Sequence, residues 1–171
     1  RDMKLLYYPN EWLEKEVQDF DFDKHKAVDI AQEMVDLMVE KDGIGLSANQ
    51  VGLDAKIFVI QPNMHKDIKM PFAVINPVIQ KVSEETYLDY EGCLSHPGLY
   101  LKVRRPLKLV AKFLDADAKE CIIELDAIDA RCFLHEYDHL YGVEFTDRVS
   151  KLKLEMAMKK KMKAEKRVIN G

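Results

Sequence analysis

"DARCFLHEYDHLYG", Asp129 to Gly142, is the stretch on which the fold turns. Its spacing predicts one helix ending near Gly142, with Phe133, Leu134 and Leu140 making it partly buried. On such a helix His135 and His139 are four residues apart, so both imidazoles lie on one face and can meet a single ion. Glu136 stands beside that ion without ligating it, placed to handle protons. This H-E-x-x-H pattern is the helix signature of metal-dependent hydrolases. The competing reading, two surface histidines and a solvated glutamate, sits poorly with the apolar neighbours, because unpaired polar groups are costly to bury.

The flanking segments give the rest of the architecture. Ala27, Val28, Ala31, Met34, Val35 and Met38 recur at helical spacing, so "DKHKAVDIAQEMVDLMVEKDG" reads as an amphipathic helix closed by Gly43. The middle of the chain is mostly strand, with "AKIFVIQ" and "FAVINP" bounded by prolines. "LKLVAKFL" and "ECIIELDA" alternate around "DADAK", which predicts an antiparallel hairpin with one buried face. After "FTDRVS" the run Lys151 to Arg167 predicts a terminal helix with Ser150 as N-cap. Leu152, Leu154, Met156 and Met158 are the side chains by which it could pack on the body. Helices at both ends of a strand-rich middle make an α+β class. At 171 residues, one domain spanning 1–171 is expected.

Composition narrows the function classes. No apolar run approaches the roughly 18 to 20 residues that cross a bilayer, and "RDMKLLYYPNEW" lacks a signal peptide's apolar stretch, so no membrane association is expected. Three cysteines without framework spacing suit a reducing compartment, pointing to a cytoplasmic protein. Net charge is −4, yet residues 151–167 hold eight basic and two acidic side chains. A basic tail on an acidic body fits either a polyanionic neighbour such as RNA or a solvated helix face.

Two histidines do not complete a catalytic site, which ordinarily has three protein ligands and an open position. In one zincin pattern a further histidine follows the motif, but that position is Phe145 here; in another a later glutamate serves, and Glu155 is the candidate. Cys132 shares the face of His135, but it is seven residues, roughly 10 Å of helix, from His139. Core packing suits it better. Cys121 reads as a small buried hydrophobe in a strand. Cys93, in the turn-prone "YEGCLSHPG", can point toward another element, whereas His96 reads as a loop histidine.

Three separated motifs, "GIGLSANQ" (Gly43 to Gln50), "EGCLS" (Glu91 to Ser95) and "HEYDH" (His135 to His139), together resemble the peptide deformylase family. The likeness reaches back to "YYPNEWLEKEV" and so covers nearly the whole chain. It implies antiparallel sheets packed around the central helix carrying H-E-x-x-H. It also implies an enzyme that removes the N-formyl group from the formyl-methionine of nascent polypeptides and releases formate.

By the same resemblance Cys93, His135 and His139 are the metal ligands. Glu136 is the catalytic glutamate, and Gln50 with the Leu94 N–H binds the oxyanion. Ile44, Gly45 and Gly92 lie along the substrate, and Arg131 and Asp89 fall where the family lines the pocket for the first side chain. Glu91 is expected to pair with Arg105, and Asp138 to support the site from behind. Ser47 and Leu134 depart from the family's usual alanine and glutamine. The implied physiological ion is iron(II), with zinc, nickel or cobalt able to substitute. Expected partners are a formylated nascent peptide and a ribosome met through the basic helix. The chain is expected to be a monomer in the cytoplasm, or the host cytoplasm were the source viral.

Overall fold

A computed structural model of the chain describes residues 3–170. Helix α1 (Ala27–Glu40) buries Ala27, Ala31, Met34, Leu37 and Met38, while Val28 faces solvent. It does not close on Gly43 as the sequence suggested. Asp42 takes the left-handed backbone (φ 58°), and the Asp42 and Gly43 N–H groups donate to Val39 O (3.1 Å) and Met38 O (2.9 Å). This is a Schellman ending built on an aspartate, one of the few non-glycine residues that tolerates that conformation.

Five strands make one antiparallel sheet: β1 (Gly45–Ser47), β2 (Ile57–Ile60), β3 (Phe72–Val82), β6 (Lys108–Leu114) and β7 (Glu120–Asp126), in that spatial order. The expected hairpin is β6–β7, paired from Lys108↔Asp126 to Leu114↔Glu120. Between β3 and β6 the chain forms a separate hairpin, β4 (Thr86–Cys93) with β5 (His96–Pro106). Its inward face carries Glu91, Leu101, Val103 and Arg105, all buried. A short 3-10 turn, Ala48–Val51, follows β1.

Helix α2 (Ala127–Leu140) lies between these layers and contacts β1, β2, β6 and β7 on one side and β5 on the other. Most of it is buried, including Phe133, which meets Phe58 edge to face at 5.0 Å. Core packing of this kind is worth about 3–5 kcal/mol per large aromatic. The helix bearing the histidines is therefore fixed by the core itself.

Helix α3 (Lys151–Asn170) starts with Ser150 Oγ accepting from Lys153 N–H at 3.2 Å, the cap anticipated from the sequence. Of the four apolar residues proposed to hold it, only Leu154 does so. It packs with Ala157 against Leu99, Leu101, Val103 and Phe145, while Leu152, Met156 and Met158 are exposed. Leu154 and Ala157 are three apart on one face; Leu152 and Met156 turn away from it, and Met158, four after Leu154, lies at its edge with 38% of its surface exposed. Among the described residues no helix is long and apolar enough to cross a membrane.

Candidate metal centre and its cleft

On α2 the His135 and His139 rings lie 5.0 Å apart, centroid to centroid. Cys93 arrives from the end of β4, its Sγ 3.5 Å from His139 Nε2. One donor atom from each of Cys93, His135 and His139 lies within 4.8 Å of the others, and this is the sole such group of three among the described residues. Metal–sulfur and metal–nitrogen bonds of about 2.3 and 2.0–2.1 Å at a tetrahedral angle put sulfur and nitrogen about 3.5 Å apart. The donor set and its spacing therefore fit a divalent ion.

The other candidates fall away. Glu155 is exposed on α3, outside this group. The Cys132 thiol approaches Ile44 O at 3.5 Å and is pushed well up by burial, so it stays protonated in the core. Cys121 is half-buried on β7 rather than fully enclosed. His96 is not a loop histidine: it opens β5, is buried, and its Nε2 meets Glu144 Oε1 at 2.7 Å.

Behind the histidines Glu91 gathers three partners. Arg105 binds it through two nitrogens (Nε–Oε2 2.8 Å, Nη2–Oε1 2.9 Å), as the sequence implied. Arg131 Nη1 adds a third contact at 2.7 Å, and His135 Nδ1 lies 2.9 Å from Oε1. Burial works to raise this carboxyl, but the bonds from Arg105 and His135 outweigh it and hold Glu91 far below the ordinary range. A carboxylate on Nδ1 selects the tautomer with a proton there, which leaves Nε2 free for an ion. Asp138 acts one step further out, accepting from Arg105 Nη1 (2.7 Å) and from Arg148 (2.8 and 3.0 Å).

This network changes the picture of Arg131. Its guanidinium is committed to Glu91, to Val103 O (2.7 Å) and to Tyr87 O (3.0 Å), although the residue still forms part of the cleft wall. Asp89 does not reach the cleft: its side chain is exposed, and its backbone carbonyl faces Arg131 at 3.3 Å. Arg148 and Glu144 escaped the sequence reading. Glu144 left one trace, an acid where "GVEF" is otherwise apolar.

The cleft in front of the donor set has a volume of about 520 Å³. Ile44 and Gly45 form one side, Gly92 to Leu94 the other, and His135 and Glu136 the floor. Gln50 is 1% exposed; its amide nitrogen reaches Ser95 Oγ (3.1 Å) and Cys93 Sγ (3.5 Å). Its carbonyl accepts from the Ser47 N–H (3.0 Å) and hydroxyl (3.2 Å), so Ser47 fixes which way the amide faces. Glu136 is buried beside Gly45, where a Cβ would lie 2.5 Å from its Oε2. Its Oε1 has no hydrogen-bond partner among the described residues. Burial, helped by the Glu91 charge, pushes the Glu136 carboxyl up to about 7 against the pull of His135 and Arg105.

Residues 2–155 match the polypeptide deformylase family. The chain belongs to that family. Among its deformylase relatives, the peptide deformylase of Agrobacterium fabrum is 41% identical over 135 residues, covering 79% of each chain. That of Brucella suis is 40% identical over 148 residues, 86% of this chain and 83% of the relative. A crystal structure of a Synechococcus elongatus peptide deformylase in complex with actinonin superposes with a TM-score of 0.85 at 34% identity, covering 94% of this chain and 88% of the other. The Legionella pneumophila deformylase gives 0.84 at 32% identity over 99% and 98%. Deformylase ancestry thus extends over both sheets and all three helices, including α3, most of which lies beyond the family match.

Proposed function

We propose that this chain hydrolyses the N-formyl group of the N-terminal formyl-methionine of nascent polypeptides, with Cys93, His135 and His139 holding the divalent ion and Glu136 moving the proton. The observation that carries the reading is the Cys93 sulfur and two imidazoles gathered within 4.8 Å beside a carboxyl oxygen without a hydrogen-bond partner among the described residues. When bound, the ion supplies Lewis acidity and a water of lowered pKa. Every other requirement falls to the protein.

A formamide is a stable amide, so water must lose a proton as it attacks and the amine must gain one as it leaves. Glu136, raised to about 7, can do both, because a group titrating near the working pH is both an effective base and an effective acid. Water oxygen joins the formyl carbon, the C–N bond breaks, and formate and the free amine depart. Charge on the former carbonyl oxygen is met by the Gln50 amide, aimed by Ser47, and by the Leu94 N–H; losing one such donor costs about 2.7–4 kcal/mol of barrier.

The substrate backbone has a natural seat. β1 is the edge of the five-stranded sheet, so an extended peptide can add to it along Ile44 and Gly45 with Gly92 opposite. Gly45 is required there in a second way, since any side chain would push into Glu136. Arg131 shapes the same wall while its charge serves Glu91.

Iron(II) is the proposed physiological ion, with zinc, nickel or cobalt able to occupy the same donors. The cytoplasm, a monomeric state and a ribosome met through α3 complete the reading. Formate release from a formyl-Met peptide by anaerobically prepared, iron-loaded protein tests it directly. Cleavage at an internal bond without formate would overturn it.

A further inference from the structure

One buried polar pair takes no part in this chemistry. His96 and Glu144 are 5% and 6% exposed, and their Nε2 and Oε1 atoms lie 2.7 Å apart. Their places in the chain matter. His96 pairs directly with Cys93 across the two-residue turn Leu94–Ser95 that closes the β4–β5 hairpin. Glu144 lies just past the end of α2, soon after His139. The bond therefore ties the hairpin tip, where the sulfur donor sits, to the chain leaving the helix with the nitrogen donors.

Other contacts surround that bond with rigid groups. The Tyr8 ring stacks on His96 at 4.7 Å, and the Tyr8 N–H donates to Ser95 O at 2.9 Å. Phe145 meets His96 edge-on at 5.5 Å and lies 5.5 Å from the His135 ring. The Glu144 N–H donates to Asp147 Oδ2 at 2.9 Å, fixing the carboxylate's own backbone. An apolar residue at position 96 could fill a space between Tyr8 and Phe145 without desolvating an imidazole and a carboxylate. Buried pairs of this sort are weak sources of stability, but they fix geometry because only one arrangement satisfies both groups.

The rest of the hairpin shows why a second fastening is useful. Glu91, at the other side of the bulge between Gly92 and Cys93, is already held by His135, Arg105 and Arg131. That bulge interrupts the pairing between Glu91 and the tip, so the Glu91 cluster alone leaves Cys93 on a turn with one anchored end. We propose that His96 and Glu144 form a positioning pair that anchors the other end, holding Cys93 at its distance from His139 and so slowing loss of the ion. This rests on Cys93, His135 and His139 being the ligands.

Cobalt(II)-loaded protein, residues 1–171, separates the two ideas. A thiolate-to-cobalt charge-transfer band in the wild type is the expected sign that Cys93 is a ligand; its absence overturns the ligand assignment and the pair's role with it. Given the band, release of cobalt to excess EDTA is the decisive readout. Glu144→Gln keeps an acceptor for His96 and should release cobalt within twofold of wild type. Glu144→Leu removes it and should release cobalt at least tenfold faster, with a weakened band. Ile123→Ala, a core change on β7, should lower the melting temperature and leave release unchanged, which separates positioning from general destabilisation. Should Glu144→Leu fail to fold, His96→Phe keeps the ring contacts without the nitrogen and should show the same fast release. Release from Glu144→Leu, or from His96→Phe in its place, at the Ile123→Ala rate with the wild-type band intact would overturn the proposal.

Discussion

At the scale of single residues, Glu136 and Cys93 divide the work in a way that mutation can separate. Glu136 lies outside the gathered donor group, so Glu136→Gln should keep metal content at the wild-type level while formate release falls at least a hundredfold, the usual worth of a general base. Metal analysis and a formate assay on one preparation check both halves. Cys93→Ala should do the reverse. It leaves two imidazoles, too few for a closed set of three protein ligands, and the purified protein should carry well under half an equivalent of metal. Retained metal in that variant would restore Glu155 as a ligand candidate. Cys93, His135 and His139, which the fold gathers into one donor group, were legible because each lies in a short motif whose chemistry is local. Arg131 was not, since only the fold brings it to Glu91, 40 positions away.

At the scale of elements, α1 and the β6–β7 hairpin were readable because their apolar periods match one buried face, whereas α2, buried on most sides with Arg131, Glu136 and Asp138 among its enclosed residues, was readable from its histidine spacing. The β4–β5 hairpin was not, and the reason is physical. Its inward positions include the charged Glu91 and Arg105, whereas Leu88, Tyr90 and Tyr100 face outward, so the alternation that marks a half-buried strand is scrambled by the ion network. β1, three residues long, is too short to show an alternation; it is an edge strand that sets Gly45 against Glu136. Gly45→Ala should therefore leave the metal bound, displace the Glu136 carboxylate and cut kcat tenfold or more, read from steady-state kinetics beside a metal assay. Removal of residues 151–171 tests α3. It uncovers only the small apolar patch met by Leu154 and Ala157, so the melting temperature should fall by roughly 2–8 °C, at about 1–2 kcal/mol for one half-buried leucine. Formate release from a short peptide should persist, while ribosome association at low salt should be lost. Unchanged association would assign the basic residues to solvation alone.

At the scale of the whole molecule, no ladder of strand hydrogen bonds joins the two sheets among the described residues. They are coupled through α2, through the Glu91 and Asp138 ion network, and through the donor group of Cys93, His135 and His139. Cys93 and His139 are 46 residues apart, the first on the two-stranded sheet and the second on the helix between the sheets. An ion held by both binds the folded chain more tightly than the unfolded one, so it should stabilise by up to about 2.7 kcal/mol when free metal is a hundred times Kd. For a domain of this size that corresponds to roughly 5–11 °C in melting temperature. Two probes make the experiment sharper. Trp12 is the single tryptophan and reports from the N-terminal segment, where its carbonyl accepts from Asn49 at 3.2 Å beside the Gln50 turn. Far-ultraviolet circular dichroism reports on all helices and both sheets. If the chain is one cooperative domain, tryptophan fluorescence and dichroism should give one coincident transition, shifted equally by metal. Cys93→Ala should lose most of the shift and keep the coincidence. A second transition appearing only when metal is removed would mean that the β4–β5 layer folds as its own unit and that the ion, rather than α2, joins it to the rest.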